Sequence, residues 1–122
     1  MQLTALILTA FVAIEHLYIL WMEMFAWETA GKKAFGNALP HQLFTPTKKL
    51  AANQGLYNGF LSAGLIWSFF IENAEWSMNV RLFFLGCVIT AGLFGAFTAS
   101  TKIFFIQALP AIAAFVLVLI SK

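Results

Sequence analysis

Four apolar runs, 3–25, 50–71, 80–99 and 103–120, take up most of a chain of 122 residues. A helix needs about 20 predominantly apolar residues to cross the hydrocarbon core of a bilayer, and each run meets or nearly meets that length. A membrane barrel would instead show short segments of alternating polarity. The runs here are continuous, so the expected fold class is all-α, a four-transmembrane-helix bundle. Hydrophobic residues make up 61% of the chain and charged residues 10%, a balance outside the ordinary range of soluble domains. The expectation is one integral membrane domain over 1–122, with the loop 26–49 as its only long polar connection.

Cation placement orients the bundle. Lys32, Lys33, Lys48 and Lys49 lie between the first and second runs and Lys102 between the third and fourth, whereas Arg81 and Lys122 lie on the opposite side. The positive-inside rule puts the long loop in the cytoplasm and both termini outside. The first run has no Lys or Arg ahead of it and carries Glu15, His16 and Glu23 within it, so it is a retained helix rather than a signal peptide. The net charge of +2 follows from the lysine bias, and no basic surface interleaved with aromatics suggests nucleic-acid binding. Cys87 is the only cysteine, so it forms no intramolecular disulfide, and no redox role is assigned to it.

Gly31, Gly36, Pro40 and Pro46 interrupt the loop, which reads as a solvated connector with a short interfacial segment near residues 32–35; a lid over a cytoplasmic cavity is the alternative. Thr47 is the expected N-cap of the second helix. Residues 72–77 read as a short turn, with Glu72 and Glu75 solvated and Trp76 at the outer interface. Cys87, Ala91, Gly95 and Ala99 form one stripe of small residues, and Gly55, Gly59 and Ala63 form another. Such stripes let helices approach closely, so these two are expected to pack against each other or against a second copy, making a homo-oligomer. Pro110 is expected to kink the fourth helix or free a carbonyl near Gln107.

An ionisable group at the centre of a membrane helix costs about 2.5–3.5 kcal/mol to insert, and therefore faces a partner, a bundle interior or a water-filled cavity. Glu15, His16 and Glu23 pose that problem here. His16 and Glu23 are seven residues apart and fall on one helical stripe, with Trp27 four further on. On the second helix Asn53 pairs with Tyr57 and Gln54 with Asn58 at i,i+4 spacing. Counted by depth, Glu23, Asn53, Gln54, Tyr57, Asn58 and Gln107 share the cytoplasmic third. A single His beside Glu residues lacks the repeated Glu-x-x-His pattern of bundle di-metal centres, so no metal site is assigned. Hydrolase, phosphate-loop and dinucleotide patterns are absent, and no cofactor is named by any motif.

The segments 16–27 and 91–98, together with Asn53-Gln54-Gly55-Leu56-Tyr57-Asn58-Gly59 and the later Gln107, Pro110 and Ala111, resemble a family of small bacterial membrane proteins catalogued as domain of unknown function 1304. The likeness covers nearly the whole chain. It implies a four-helix protein of the bacterial inner (plasma) membrane and supplies no reaction. A looser likeness, in helix count and orientation, is to the membrane-associated eicosanoid and glutathione metabolism proteins. Asn58 aligns with the Asn of that family's Glu-Arg-x-x-Arg-Ala-x-x-Asn helix. This chain has no arginine in its first, second or fourth run to hold a glutathione carboxylate.

The expected function is binding of a small amphipathic or lipid-like molecule in a cytoplasm-facing cavity lined by Glu23, Asn53, Gln54, Tyr57, Asn58 and Gln107. Glu15 and His16 lie deeper, and Glu15 or Glu23 would serve as proton donor or acceptor. The alternatives are a proton-coupled exporter, an intramembrane enzyme using His16 and a carboxyl, and a structural subunit of a membrane complex.

Overall fold

Every regular element among residues 2–121, which the computed structural model describes, is helical. In chain order α1 is Gln2–Phe25, α2 Lys32–Phe35, α3 Lys48–Phe70, α4 Ala74–Thr98 and α5 Leu109–Ile120; π-helical turns at Trp27–Gly31 and Phe104–Ala108 and a 3-10 turn at His41–Leu43 complete the order. The all-α expectation is met. Two helices, Gln2–Phe25 and Ala74–Thr98, are long and apolar enough to cross a membrane. Helix α3 has 23 residues, but Asn53, Gln54 and Asn58 dilute its apolar character, and Phe104–Ile120 is apolar but shorter.

Helix α4 starts well ahead of the apolar run at 80. Asn73 Oδ1 accepts the Trp76 backbone N–H at 3.0 Å, satisfying one of the donors orphaned at a helix start. The stretch after Asn73 is therefore helical rather than a turn, with Glu72, Glu75 and Trp76 exposed. At the other break, Pro110 lies in the first turn of α5, where its missing N–H costs little. The expected interruption near Gln107 takes the form of the π-helical turn, in which the Leu109 N–H donates to the Phe104 carbonyl.

The chain forms two compact units, and α1 and α3 each contribute to both. One unit takes α1 through Ile14 and the chain from Leu61 onward. Its core is Ala5, Val12, Ala13, Leu65, Leu85, Val88, Ala111, Ala114 and Val118. The alanines keep the helices close, and Gly92 brings α4 onto the π-helical turn, where a Cβ would lie 2.8 Å from Ala108 N. Buried hydroxyls bond to helix carbonyls: Thr9 Oγ1 donates to Ala5 O at 2.8 Å and Ser62 Oγ to Ala13 O at 2.7 Å.

The other unit is Glu15–Phe60. Here α2 falls at residues 32–35, where the sequence predicts a short segment, and the rest of 26–49 is folded as well rather than an open connector. Ala26 leaves helical geometry at φ −138°, ψ 28°, which turns Trp27 off the face carrying His16 and Glu23 and breaks the expected stripe. The Trp27 ring packs on Phe44 (centroids 4.9 Å apart) and on Phe35 (5.8 Å), and Phe44 is fully buried. Gly31 is required beneath the indole, because a Cβ there would come within 2.7 Å of Trp27 Cε3. Trp27 Nε1 donates to Thr47 Oγ1 at 3.0 Å, and the Thr47 hydroxyl donates back to Leu43 O at 2.7 Å. Thr47 thus ties the segment to the start of α3, whereas an N-cap would have accepted from the helix's own backbone.

Lys48 begins α3 at the end where the macrodipole disfavours a cation. Glu28 offsets it from the preceding segment, with Oε1 3.4 Å from Lys48 Nζ and Oε2 accepting from Thr45 Oγ1 at 2.7 Å. The Thr45 hydroxyl, and then Lys48, hold the Glu28 carboxyl below its ordinary value of 4.5. A carboxyl whose folded value is depressed adds stability above its unfolded value, and that stability disappears as pH falls through the folded one. In a variant retaining only Trp27 among the tryptophans, emission should stay constant between pH 7 and pH 5 and shift below about pH 4.5. Glu28→Gln should remove the shift.

Helix α3 packs on α1 through Gly55 and Gly59. A Cβ on Gly55 would lie 2.6 Å from Met24 Cγ and 3.1 Å from Leu20 O, and one on Gly59 2.5 Å from Leu20 Cδ1. This small-residue pair is thus occupied by α1 rather than by the α4 stripe. Within that stripe Gly95 faces Ile103, while Cys87 and Ala91 line an open groove. Gly55→Leu should lower unfolding stability in detergent by about 1–3 kcal/mol, the usual cost of overpacking. Gly86, with nothing within 4 Å of a built Cβ, should accept Ala with a gain of up to about 1 kcal/mol.

Candidate functional site

The polar residues of the Glu15–Phe60 unit fall into two groups on α1. Nearer the loop, Glu23 is half-buried and its Oε1 accepts from Asn58 Nδ2 of α3 at 2.7 Å. The same amide donates its other N–H to Gln54 O at 3.1 Å, so both Asn58 donors are used and the ring of contacts fixes the amide's orientation. Glu23 Oε2 and Asn58 Oδ1 have no hydrogen-bond donor among the described residues, and neither is a fully buried atom. The pair therefore presents two acceptors side by side. A hydroxyl or ammonium group is the complementary chemistry.

One turn and more toward the middle of α1, His16 is almost fully buried at 1% exposure, with Nδ1 3.9 Å from Glu15 Oε1. That distance is too long for a hydrogen bond. Glu15 Oε1 is itself buried without a hydrogen-bond partner among the described residues. Groups left in that state are uncommon and mark a place where a proton, a water or a ligand completes the bonding.

The remaining residues expected in the cavity are placed differently. Asn53, Gln54 and Tyr57 are exposed on α3, with Tyr57 edge-on to Phe60 at 5.9 Å. They belong to the outer surface of this unit. Gln107 is half-buried in the π-helical turn of the other unit. No group of three or more His, Cys, Asp or Glu side chains suited to a metal ion occurs among the described residues.

Sequence reasoning missed two polar clusters. Thr45, Glu28 and Lys48 depend on the fold of the segment 26–49. The second joins Arg81, Ser77 and Ser68: Arg81 Nη2 donates to Ser77 Oγ at 3.2 Å, and Nε donates to Ser68 Oγ at 3.2 Å. The i,i+4 spacing of Ser77 and Arg81 was the one available signal.

If the Asn58 bond joins the helices, Glu23→Ala and Asn58→Ala should be non-additive. A double-mutant cycle on unfolding in bicelles should give a coupling of about 0.6 kcal/mol and at most about 1.7, the average and maximum of interhelical hydrogen bonds in membrane helices. A coupling of zero would mean that the two side chains do not meet.

Among known proteins, the family model described as "Protein of unknown function (DUF1304)" matches residues 10–119. An uncharacterized protein, YpaA, of Lactococcus lactis subsp. lactis (strain IL1403), is 32% identical over 108 residues, covering 88% of this chain and 89% of the relative. No solved structure matches.

Proposed function

The chain belongs to the DUF1304 family, and from that membership and the Glu23–Asn58 geometry we propose a multi-pass bacterial inner-membrane protein that binds a small amphipathic molecule between α1 and α3. The membrane part of the proposal is supported by an inverted distribution of side chains. Leu3, Ile7, Phe11, Ile14, Tyr18, Trp21 and Phe25 are all exposed along one face of α1, at intervals of three and four. At 1.5 Å per residue that face is about 33 Å long, close to the ~30 Å hydrocarbon core. Thr9, His16, Ser62 and Ser68 are meanwhile buried. A soluble monomer rarely exposes so continuous an apolar surface, whereas lipid chains cover it readily. In this reading α1, α3, α4 and Phe104–Ile120 are the four passes, with the lysine-bearing segment 26–49 in the cytoplasm.

The observation that carries the binding function is the 2.7 Å bond from Asn58 to Glu23, with one acceptor oxygen on each partner left open. The exposed amides of Asn53 and Gln54 and the Tyr57 phenol extend the same polar end of α3. Apolar side chains of α1 and α3 around this end suit the tail of the ligand, and a hydroxyl or amine head suits Glu23 Oε2 and Asn58 Oδ1. Native mass spectrometry of gently extracted protein should show a small molecule retained by the wild type and lost from the Glu23→Gln, Asn58→Ala double variant. The same spectra report subunit number. An identical bare protein from both would remove the support for a ligand here.

A proton-coupled exporter is the second reading, and Glu15 favours it. Its buried, unpartnered Oε1 beside His16 is a natural stopping place for a proton. Proteoliposomes with an imposed pH gradient would then move an amphipathic amine, and Glu15→Gln would abolish the gradient dependence. No gradient-dependent flux would leave the binding reading alone.

A further inference from the structure

The first unit holds a cleft of about 440 Å³ that the Glu23–Asn58 reading does not use. Ligand clefts commonly measure about 300–1,000 Å³. Arg81 lines it, about 10 Å along α4 from Ala74 at 1.5 Å per residue. The apolar walls come from Ala5 and Leu6 of α1, Met78 of α4 and Val118 of α5.

The Arg81 guanidinium is held in a fixed pose. Nε donates to Ser68 Oγ at 3.2 Å; Nη2 donates to Ser68 O at 3.3 Å and to Ser77 Oγ at 3.2 Å; the Phe69 ring lies 4.9 Å from Cζ. A guanidinium has five N–H donors. Three are used in this way, and the two on Nη1 have no acceptor among the described residues. Arg81 also has no carboxylate within 4 Å among those residues; Glu75 lines the cleft but is exposed and makes no ion pair. A half-buried cation, oriented by its neighbours and lacking a counter-ion, beside an apolar wall, is complementary to an anion that carries a hydrocarbon chain.

We propose that this cleft binds a single-chain amphipathic anion, its carboxylate or phosphate oxygens accepting from Arg81 Nη1 and its chain lying against Leu6, Met78 and Val118. A fatty acid and a lysophospholipid share that chemistry. Ser68 is a positioning residue, since it reaches the anion only through the guanidinium it orients; Ser77 lines the cleft as well, but its hydroxyl already donates to Ser68 O and accepts from Arg81. Glu75 opposes the anion by charge at the mouth of the cleft.

Binding of oleate, 1-oleoyl-lysophosphatidylglycerol, oleyl alcohol and inorganic phosphate to the purified full chain in non-ionic detergent tests this site. Oleate or the lysolipid should bind at least tenfold more tightly than oleyl alcohol; preference between the first two identifies the source as a free fatty acid or a phospholipid. Arg81→Gln should weaken the anion at least tenfold, and Glu75→Gln should tighten it. Arg81→Gln also removes bonds to Ser68 and Ser77, so Leu6→Trp provides the independent check. It narrows the apolar wall, leaves Arg81 in place, and should exclude chain-bearing anions. Equal binding of oleate and oleyl alcohol, binding of phosphate without the chain-bearing anions, or full binding by Leu6→Trp would each overturn the proposal.

Discussion

A carboxyl carried within an apolar helix has to be met by a donor, and the bond from Asn58 to Glu23 meets that demand at 2.7 Å. The packing of α3 on α1 in the Glu15–Phe60 unit is arranged around it. Asn58 shares one face of α3 with Gly55 and Gly59, at i+3 and i+4 from Gly55. The two glycines let α3 approach Leu20 and Met24 of α1 more closely than any larger residue would allow. That approach brings the short Asn58 side chain within reach of Glu23. Packing and hydrogen bonding are therefore one constraint: enlarging a glycine lengthens the bond, and removing the amide leaves the carboxyl exposed to an apolar environment.

The same principle, polar groups satisfied inside and apolar groups turned outward, runs through the other unit. Ser62 and Thr9 bond to helix carbonyls in its core, while Phe83, Phe94 and Phe97 are exposed on α4. Arg81 satisfies three of its donors on Ser68 and Ser77 and keeps two. The half-buried polar groups fall into places with different chemistry: acceptors at Glu23 and Asn58, a carboxyl with one buried oxygen at Glu15, and donors at Arg81.

The all-helical fold was legible because apolar runs of helical length leave few alternatives, and the need of Glu23 for a hydrogen-bond partner was legible because an ionisable side chain in such a run demands one. The pairing partner of the Gly55–Gly59 face was not legible, since a small-residue stripe says that something approaches without saying what. Nor, beyond the short element at residues 32–35, was the fold of segment 26–49. Its glycines and prolines read as interruptions, yet Gly31 exists to admit the Trp27 ring, and the aromatic contacts of Trp27 with Phe35 and Phe44 join residues too far apart for any short-range pattern. The capping of α4 by Asn73 was visible in principle, but the polar run around it masked a helix start as a turn. Arg81 read as a topological marker because its partners, Ser68 and Ser77, lie on either side of a chain reversal.

Both the packing of α3 on α1 and the proposed binding turn on Glu23 and Asn58 meeting directly. Magic-angle-spinning NMR on protein in bilayers, with ¹³C at the Glu23 carboxyl and ¹⁵N at the Asn58 side-chain amide, measures that meeting. The account predicts strong dipolar transfer between the two nuclei, as a direct hydrogen bond requires. Absence of transfer, with the Asn58 amide coupled instead to another group, would contradict it.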